Sequence, residues 1–278
     1  NVIALGQNAG YSNTTTGDSI AIGGSALKLI SAGTGKNIAI GSNAMLSSGT
    51  AADNDASQNV AIGYEALKDI TDADNNVAVG YLASNDVTTG AGNTALGYRA
   101  LASSAGSADN NVAIGFQAMD ASAGTGGGQN VFVGKDAGGG TWTSGACNYN
   151  VGIGSEALAG ALAVNSGAIG IGYQALTALT TGGSNTAIGY KAGEALTTGG
   201  NNVAIGYDSF KSAVDACNSN IAIGVQAMTA VDRGSNGSAT VNGNIALGYN
   251  ALAGGDFGSS DKDLVGNIAI GKNALDAT

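Results

Sequence analysis

The chain has 278 residues, with 48 Gly, no Pro and no His; 44% of its residues are hydrophobic and only 11% are charged. A net charge of −10 with ten scattered basic residues excludes the basic stripe or cluster that nucleic acid or an anionic membrane surface requires. The aliphatic content excludes a disordered low-complexity chain, and no apolar run is long enough for a membrane helix.

One unit recurs fifteen times, Asn-Φ-Ala-Φ-Gly-x-x-Ala-Leu with Φ aliphatic, and its Gly falls at 6, 23, 41, 63, 80, 97, 115, 134, 154, 172, 189, 206, 224, 248 and 271. The spacing is 17 or 18, stretching to between 19 and 24 in five intervals. Aliphatic residues stand three and one before the Gly, as in Ile38 and Ile40, Val60 and Ile62, Ile221 and Ile223. That period-2 alternation predicts a short strand in every repeat. The residue between them is Ala in twelve repeats, Gly at 152 and 170, and Phe only at 132. Both faces of the strand are therefore apolar. One face fills the interior of a coil, and the small Ala face predicts close approach by a second surface, either another copy about a trimer axis or a second strand layer of the same chain.

After the Gly, two variable residues lead to Ala, replaced only at Ser209, and then usually Leu or Met, as at Leu67, Leu101, Met119, Leu158, Leu176, Met228, Leu252 and Leu275. A Gly held between two buried elements predicts a positive φ or an approach that a Cβ would block. Asn precedes the strand in twelve repeats, at Asn37, Asn59, Asn76, Asn93, Asn111, Asn130, Asn150, Asn185, Asn202, Asn220, Asn244 and Asn267. Stacked coils would superpose these amides into a structural ladder. The remaining residues are polar turns, and every lengthening falls in them: 50–57, 124–128, 234–241 and 255–265. Repeat arrays accept insertions where the stacked core is uninterrupted, so any binding surface belongs there.

Tyr or Phe follows the Gly at Tyr64, Tyr81, Tyr98, Phe116, Tyr173, Tyr190, Tyr207 and Tyr249. The simple reading is a ring ladder along one edge of the coils; the functional one is contact with the faces of receptor sugars. Asp53 and Asp55, Asp69, Asp72 and Asp74, and Asp261 and Asp263 could offer oxygen to calcium, but none has EF-hand or calcium-roll spacing, and solvated turns account for them. Cys147 and Cys217 each stand three residues before a repeat Asn, four repeats apart, which at about 4.8 Å per coil is too far for a disulfide and predicts free thiols.

Gly152-x-Gly154 and Gly170-x-Gly172 imitate a dinucleotide fingerprint only because Gly replaces the small strand residue, and Gly33-Thr34-Gly35-Lys36 lacks the rest of a P-loop. Asn13-Thr14-Thr15 and Asn236-Gly237-Ser238 match the short glycosylation acceptor. With no His, and with acids in turns of variable length, the inventory predicts no enzyme, no cofactor and no metal site.

Asn59-Val60-Ala61-Ile62-Gly63 and Asn202-Val203-Ala204-Ile205-Gly206 resemble the head repeats of trimeric autotransporter adhesins, which stack as a trimeric left-handed parallel β-roll. Asn185 to Ala192 is also similar to repeats of phage and viral tail fibres, and the longer period with its Tyr-x-Ala-Leu element tilts the resemblance that way. A left-handed hexapeptide β-helix is a competing architecture, on Ile62 to Leu67, though the following hexads lack the aliphatic slot.

The expectation is an all-β β-solenoid or β-roll of about fifteen coils, an intertwined homotrimer, with residues 1–278 a single array within a longer fibrous protein. The resemblance implies an extracellular structural fibre for host attachment, on a virion tail or a cell surface, partnered by its own copies and a surface receptor such as a glycan. The alternative is a bacterial surface adhesin. Ice binding would need a flat Thr array, and Thr94 and Thr186 are isolated.

Overall fold

The computed structural model describes residues 1–12, 17–30, 35–47, 54–103, 108–121, 127–142, 147–163, 166–212, 217–230, 240–254 and 263–276. The chain forms two compact units, Asn1–Ala146 and Cys147–Thr278, and the same repeat runs through both. Among the described residues there is no helix; the fold is an all-β solenoid of stacked parallel rungs. The first unit holds β1 (Val2–Leu5), β2 (Ser19–Ile22), β3 (Ile38–Ile40), β4 (Val60–Ile62), β5 (Val77–Val79), β6 (Thr94–Leu96), β7 (Val112–Ile114) and β8 (Val131–Val133). The second holds β9 (Val151–Ile153), β10 (Ile169–Ile171), β11 (Thr186–Ile188), β12 (Val203–Ile205), β13 (Ile221–Ile223), β14 (Val241–Asn242), β15 (Ile245–Leu247), β16 (Leu264–Val265) and β17 (Ile268–Ile270).

Within each unit the repeat strands pair in parallel with like opposite like: Val60, Ala61 and Ile62 of β4 face Val77, Ala78 and Val79 of β5. In the second unit β13, β15 and β17 continue that ladder while β14 and β16 pair beside it. Parallel neighbours need a connection of a dozen or more residues, which each period supplies as turns. One three-residue ladder strand per coil is not the three-sided hexad helix.

Alternation along the strand decides what lies inside. The Ala, Gly or Phe between the two aliphatic positions is buried in every repeat strand from β2 onward, and its two neighbours are half-buried or exposed. Ala61, Ala78, Ala187 and Ala222 are thus fully buried, and at Gly170, which takes the same place, a Cβ would lie 3.0 Å from the Ala175 carbonyl oxygen and 3.2 Å from the Leu158 side chain, turn residues equivalent to Ala66 and Leu67. This corrects the expectation that the Ala face meets a second surface: a core only a few side chains wide has room for a methyl group where the strand crosses it, and the aliphatic residues face out.

A third core element escaped the repeat pattern because it sits in the variable turn. Ile30, Ile70, Val87, Leu179 and Leu196, each seven residues after the repeat Gly, are fully or almost fully buried. Volume is also traded within a coil. Phe132 fills the place of the strand Ala, and Gly138 stands where other coils have Leu; a Cβ on Gly138 would lie 2.6 Å from the Phe132 ring. Trp142 closes the site edge-on to Phe132 at 5.8 Å.

The repeat Gly residues have φ between +119° and +142°. At Gly63 a Cβ would lie 2.2 Å from the carbonyl oxygen of Gly80 in the next coil, so both conformation and space demand Gly. The turn that follows uses left-handed backbone at residues that are not Gly, as at Glu65 (φ 53°) and Leu67 (φ 49°), and the same two positions are left-handed in every repeat. Each costs about 1–2 kcal/mol. Hydrogen bonds to both neighbouring coils offset it: Glu65 N–H donates to Ser42 O at 3.0 Å and Leu67 N–H to Ala83 O at 3.0 Å. Full burial of Leu67 contributes roughly 1.5–3 kcal/mol more.

Two glycines separate these effects. Gly63→Ala meets backbone as well as a positive φ, whereas Gly243, at φ 67°, has nothing within 4 Å of its Cβ position. In chemical denaturation Gly243→Ala is expected to cost about 1–2 kcal/mol, the left-handed penalty alone. Gly63→Ala is expected to cost clearly more and to disrupt pairing between β4 and β5. Equal costs would show that the close approach is not what selects Gly.

Candidate functional site

The side-chain amides form a buried ladder inside each unit. Asn59 Oδ1 accepts the backbone N–H of Asn76 at 2.8 Å and its Nδ2 at 3.1 Å, while Asn59 Nδ2 donates to Ala73 O at 2.8 Å. Asn93 and Asn111 continue the pattern to Asn130, and at its start the Ser19 Oγ takes the Asn role by accepting the Asn37 N–H at 3.2 Å. In the second unit the same ladder runs through Asn185, Asn202, Asn220, Asn244 and Asn267. Asn150 Oδ1 accepts the N–H of Ala168, which has no amide to pass the ladder on. Cys147 and Cys217 are buried and are not joined in a disulfide. Cys217 occupies the small site whose carbonyl receives an Asn Nδ2, here Asn202 at 2.7 Å.

A second, partial ladder was not foreseen. Two residues before the repeat Asn, the side chains of Asp74, Asp109, Asn218 and Asn242 accept backbone N–H groups of the preceding coil, from Ser57, Ala91, Gly200 and Asn218 at 2.7–2.9 Å. Asp263 does likewise for Thr240. The signal was present as Asp or Asn at that register, but only some repeats carry it. Two acids considered for calcium, Asp74 and Asp263, are thus engaged in coil stacking. Among the described residues no group of three or more Asp, Glu, Cys or His is placed to hold a metal ion. Asp53, Asp261, the Asn13 and Asn236 acceptors and most of the insertions lie outside the described residues.

The aromatic residues stack. Tyr64, Tyr81, Tyr98 and Phe116 form one run in the first unit, with centroids 5.0–5.3 Å apart and rings 5–13° from parallel. Tyr173, Tyr190 and Tyr207 form another in the second. Tyr81, Tyr98 and Tyr190 therefore have an aromatic neighbour on both faces, which limits stacking of a sugar on those rings. Tyr249 instead has Lys272 over its ring at 5.7 Å. A hydrogen bond to the Glu65 carboxylate, together with its charge, holds the Tyr64 phenol above its ordinary range.

One bend away from the rings lies the outer face of the strands. It carries two files of aliphatic side chains, including Ile62, Leu96, Ile188 and Ile223, which are 36–47% exposed although each has aliphatic neighbours above and below. A contiguous apolar face of this kind marks an interaction surface. Thr94 and Thr186 are the two polar side chains that stand in these files.

Charge sits on the turns as local pairs: Arg99 grips Asp120 through Nε at 3.1 Å and Nη2 at 3.3 Å, and Lys191 pairs with Glu194 at 2.7 Å. Asp86 sits in a different setting. Partial burial and the neighbouring Asp69 carboxylate raise its pKa, against the weaker pull of Lys68 and Arg99.

Compared with known proteins, the chain matches no family model, no curated protein and no solved structure.

Two expectations follow. Ala168→Asn should complete the second unit's ladder, because the Asn185 Nδ2 now reaches only the carbonyls of Gly182 and Gly199. The denaturation midpoint should rise by the equivalent of about 1–2 kcal/mol. Because the folded pKa of Asp86 lies above 3.8, the native state holds its proton more tightly than the unfolded chain. The cost of its charge is complete above the folded pKa and fades as pH falls towards 3.8. Asp86→Asn should therefore stabilise at pH 7, with the gain vanishing in acid unfolding series.

Proposed function

We propose that this chain is a shaft segment of an extracellular fibre that attaches to a host surface, as part of a viral or phage tail fibre, and that three copies associate through the outer aliphatic files. The observation that carries the reading is the double file itself, repeated rung after rung and left half-exposed in the single chain. Covering the remaining exposure contributes roughly 1–1.5 kcal/mol per side chain. Ten such residues, the number the two units together leave exposed in these files, approach the cost of about 4–15 kcal/mol for bringing chains together. The net charge of −10 keeps such a fibre soluble while its apolar face is covered.

The resemblance of Asn59 to Gly63 to adhesin head repeats favours a second reading, a bacterial trimeric surface adhesin; it shares the trimer and differs in what anchors the fibre. Under either reading, recognition belongs to the variable turns and the ring edges of the Tyr runs. Catalysis has no part in it.

Sedimentation of the whole chain is expected to give a trimer. Leu96→Lys with Ile188→Lys, one outward position per unit, should yield monomers that keep native β circular dichroism, since both side chains point away from the core. Ala61→Leu should instead damage the coil itself by overpacking, at about 1–3 kcal/mol. A wild-type chain that sediments as a native monomer, or a double Lys variant that stays trimeric, defeats the proposed interface. Binding of the intact fibre to host cells and to arrayed glycans tests the attachment role.

A further inference from the structure

The tyrosine runs hold a chemistry that neither assembly nor attachment uses. Tyr64 and Tyr81 stack at 5.3 Å and 13°, Tyr81 and Tyr98 at 5.3 Å and 5°. Tyr173 and Tyr190 stack at 5.2 Å and 21°, Tyr190 and Tyr207 at 5.0 Å and 6°. These six rings are 40–50% exposed, open to a reagent in solution yet held against each other by the coil repeat.

We propose that the two runs are oxidative cross-linking sites, at which a haem peroxidase with hydrogen peroxide joins tyrosines of successive coils as dityrosine. Each phenol loses one electron and its phenolic proton to become a tyrosyl radical. Two radicals on neighbouring rings form a carbon–carbon bond between positions ortho to the oxygens. Each coupled carbon then releases its hydrogen as a proton while the ring oxygen regains one, which restores both aromatic rings. Two hydrogen atoms leave per bond, and one hydrogen peroxide is reduced to two waters.

Proximity decides the outcome. Radical coupling is second order between free phenols, but partners fixed in contact react as one molecule. Exposure by itself points elsewhere, because Tyr11 at 72% and Tyr149 at 62% are more accessible than any ring in the runs. Random oxidation would consume those two first and link separate chains. Coupling within the runs would instead staple one coil to the next inside a single chain, across the stacking direction that the backbone hydrogen bonds hold. Phe116, stacked on Tyr98 at 5.0 Å, has no phenol and ends the first run, which also shows that the position accepts Phe.

The test treats the whole chain with a haem peroxidase and limiting hydrogen peroxide, followed by proteolysis and mass spectrometry. Expected are the pairs Tyr64–Tyr81, Tyr81–Tyr98, Tyr173–Tyr190 and Tyr190–Tyr207, each lighter by two hydrogens. The intact denatured chain should keep the mass of one copy, show dityrosine fluorescence, and unfold at a higher temperature than the untreated protein. Tyr81→Phe with Tyr190→Phe removes the central ring of both runs and should abolish the in-chain links while circular dichroism stays native. Links that map to Tyr11 or Tyr149, or that join separate chains while the run pairs stay unlinked, overturn the proposal. So does undiminished dityrosine fluorescence in the double variant.

Discussion

Where one repeat Asn follows another within a unit, its amide joins three things at once: the backbone N–H of the next Asn, that residue's own Nδ2, and a carbonyl at the end of the following turn, as Asn76 does with Asn93 and Gly90. The group is buried, and leaving its partners unmet would cost about 1–3 kcal/mol for each orphaned atom. Coils must therefore stack with Asn above Asn, and that requirement sets the register of all that follows. It places Ala beside Ala in the strands, Gly against Gly at the bend and Tyr over Tyr at the edge.

Close stacking then dictates composition. The bend brings one coil's backbone to within 2.2–2.7 Å of where a Cβ would sit on its neighbour, so Gly recurs there. The narrow interior leaves room for Ala from the strand, and Ala and Leu from the turn, with a further Ile, Val or Leu where the loop allows. Tight turns are bought with left-handed backbone at Leu and Met, residues that seldom adopt it, and the rungs above and below repay the strain through hydrogen bonds. The segments between these elements differ in length from repeat to repeat, as repeat architectures permit.

The same geometry separates stability from function. Residues that hold coils together are inside or bonded along the stack, including acids such as Asp74 that looked available for a ligand. What remains outward is a double aliphatic file and runs of phenols, the surfaces on which the proposed association and cross-linking rest. Asp86 shows the limit of that economy: a carboxylate partly buried beside Asp69 is tolerated rather than used.

The period, the strand at each repeat, the Gly bend and the Asn ladder were all legible in the sequence, because each depends on a residue type that repeats at fixed spacing. Alternation told which residues share a face of the strand but not which face is inside. That choice turns on the volume enclosed by the coil, a property of the closed turn, and the structure gave the interior to Ala and the outside to Val and Ile. The third core file at Ile70 and Val87 and the second ladder at Asp74 and Asp109 were likewise hidden, since only some repeats carry an aliphatic residue seven after the Gly or an Asp or Asn two before the repeat Asn. Only the closed coil, by superposing those loops on neighbouring rungs, decides which of their side chains are buried and which backbone groups they meet.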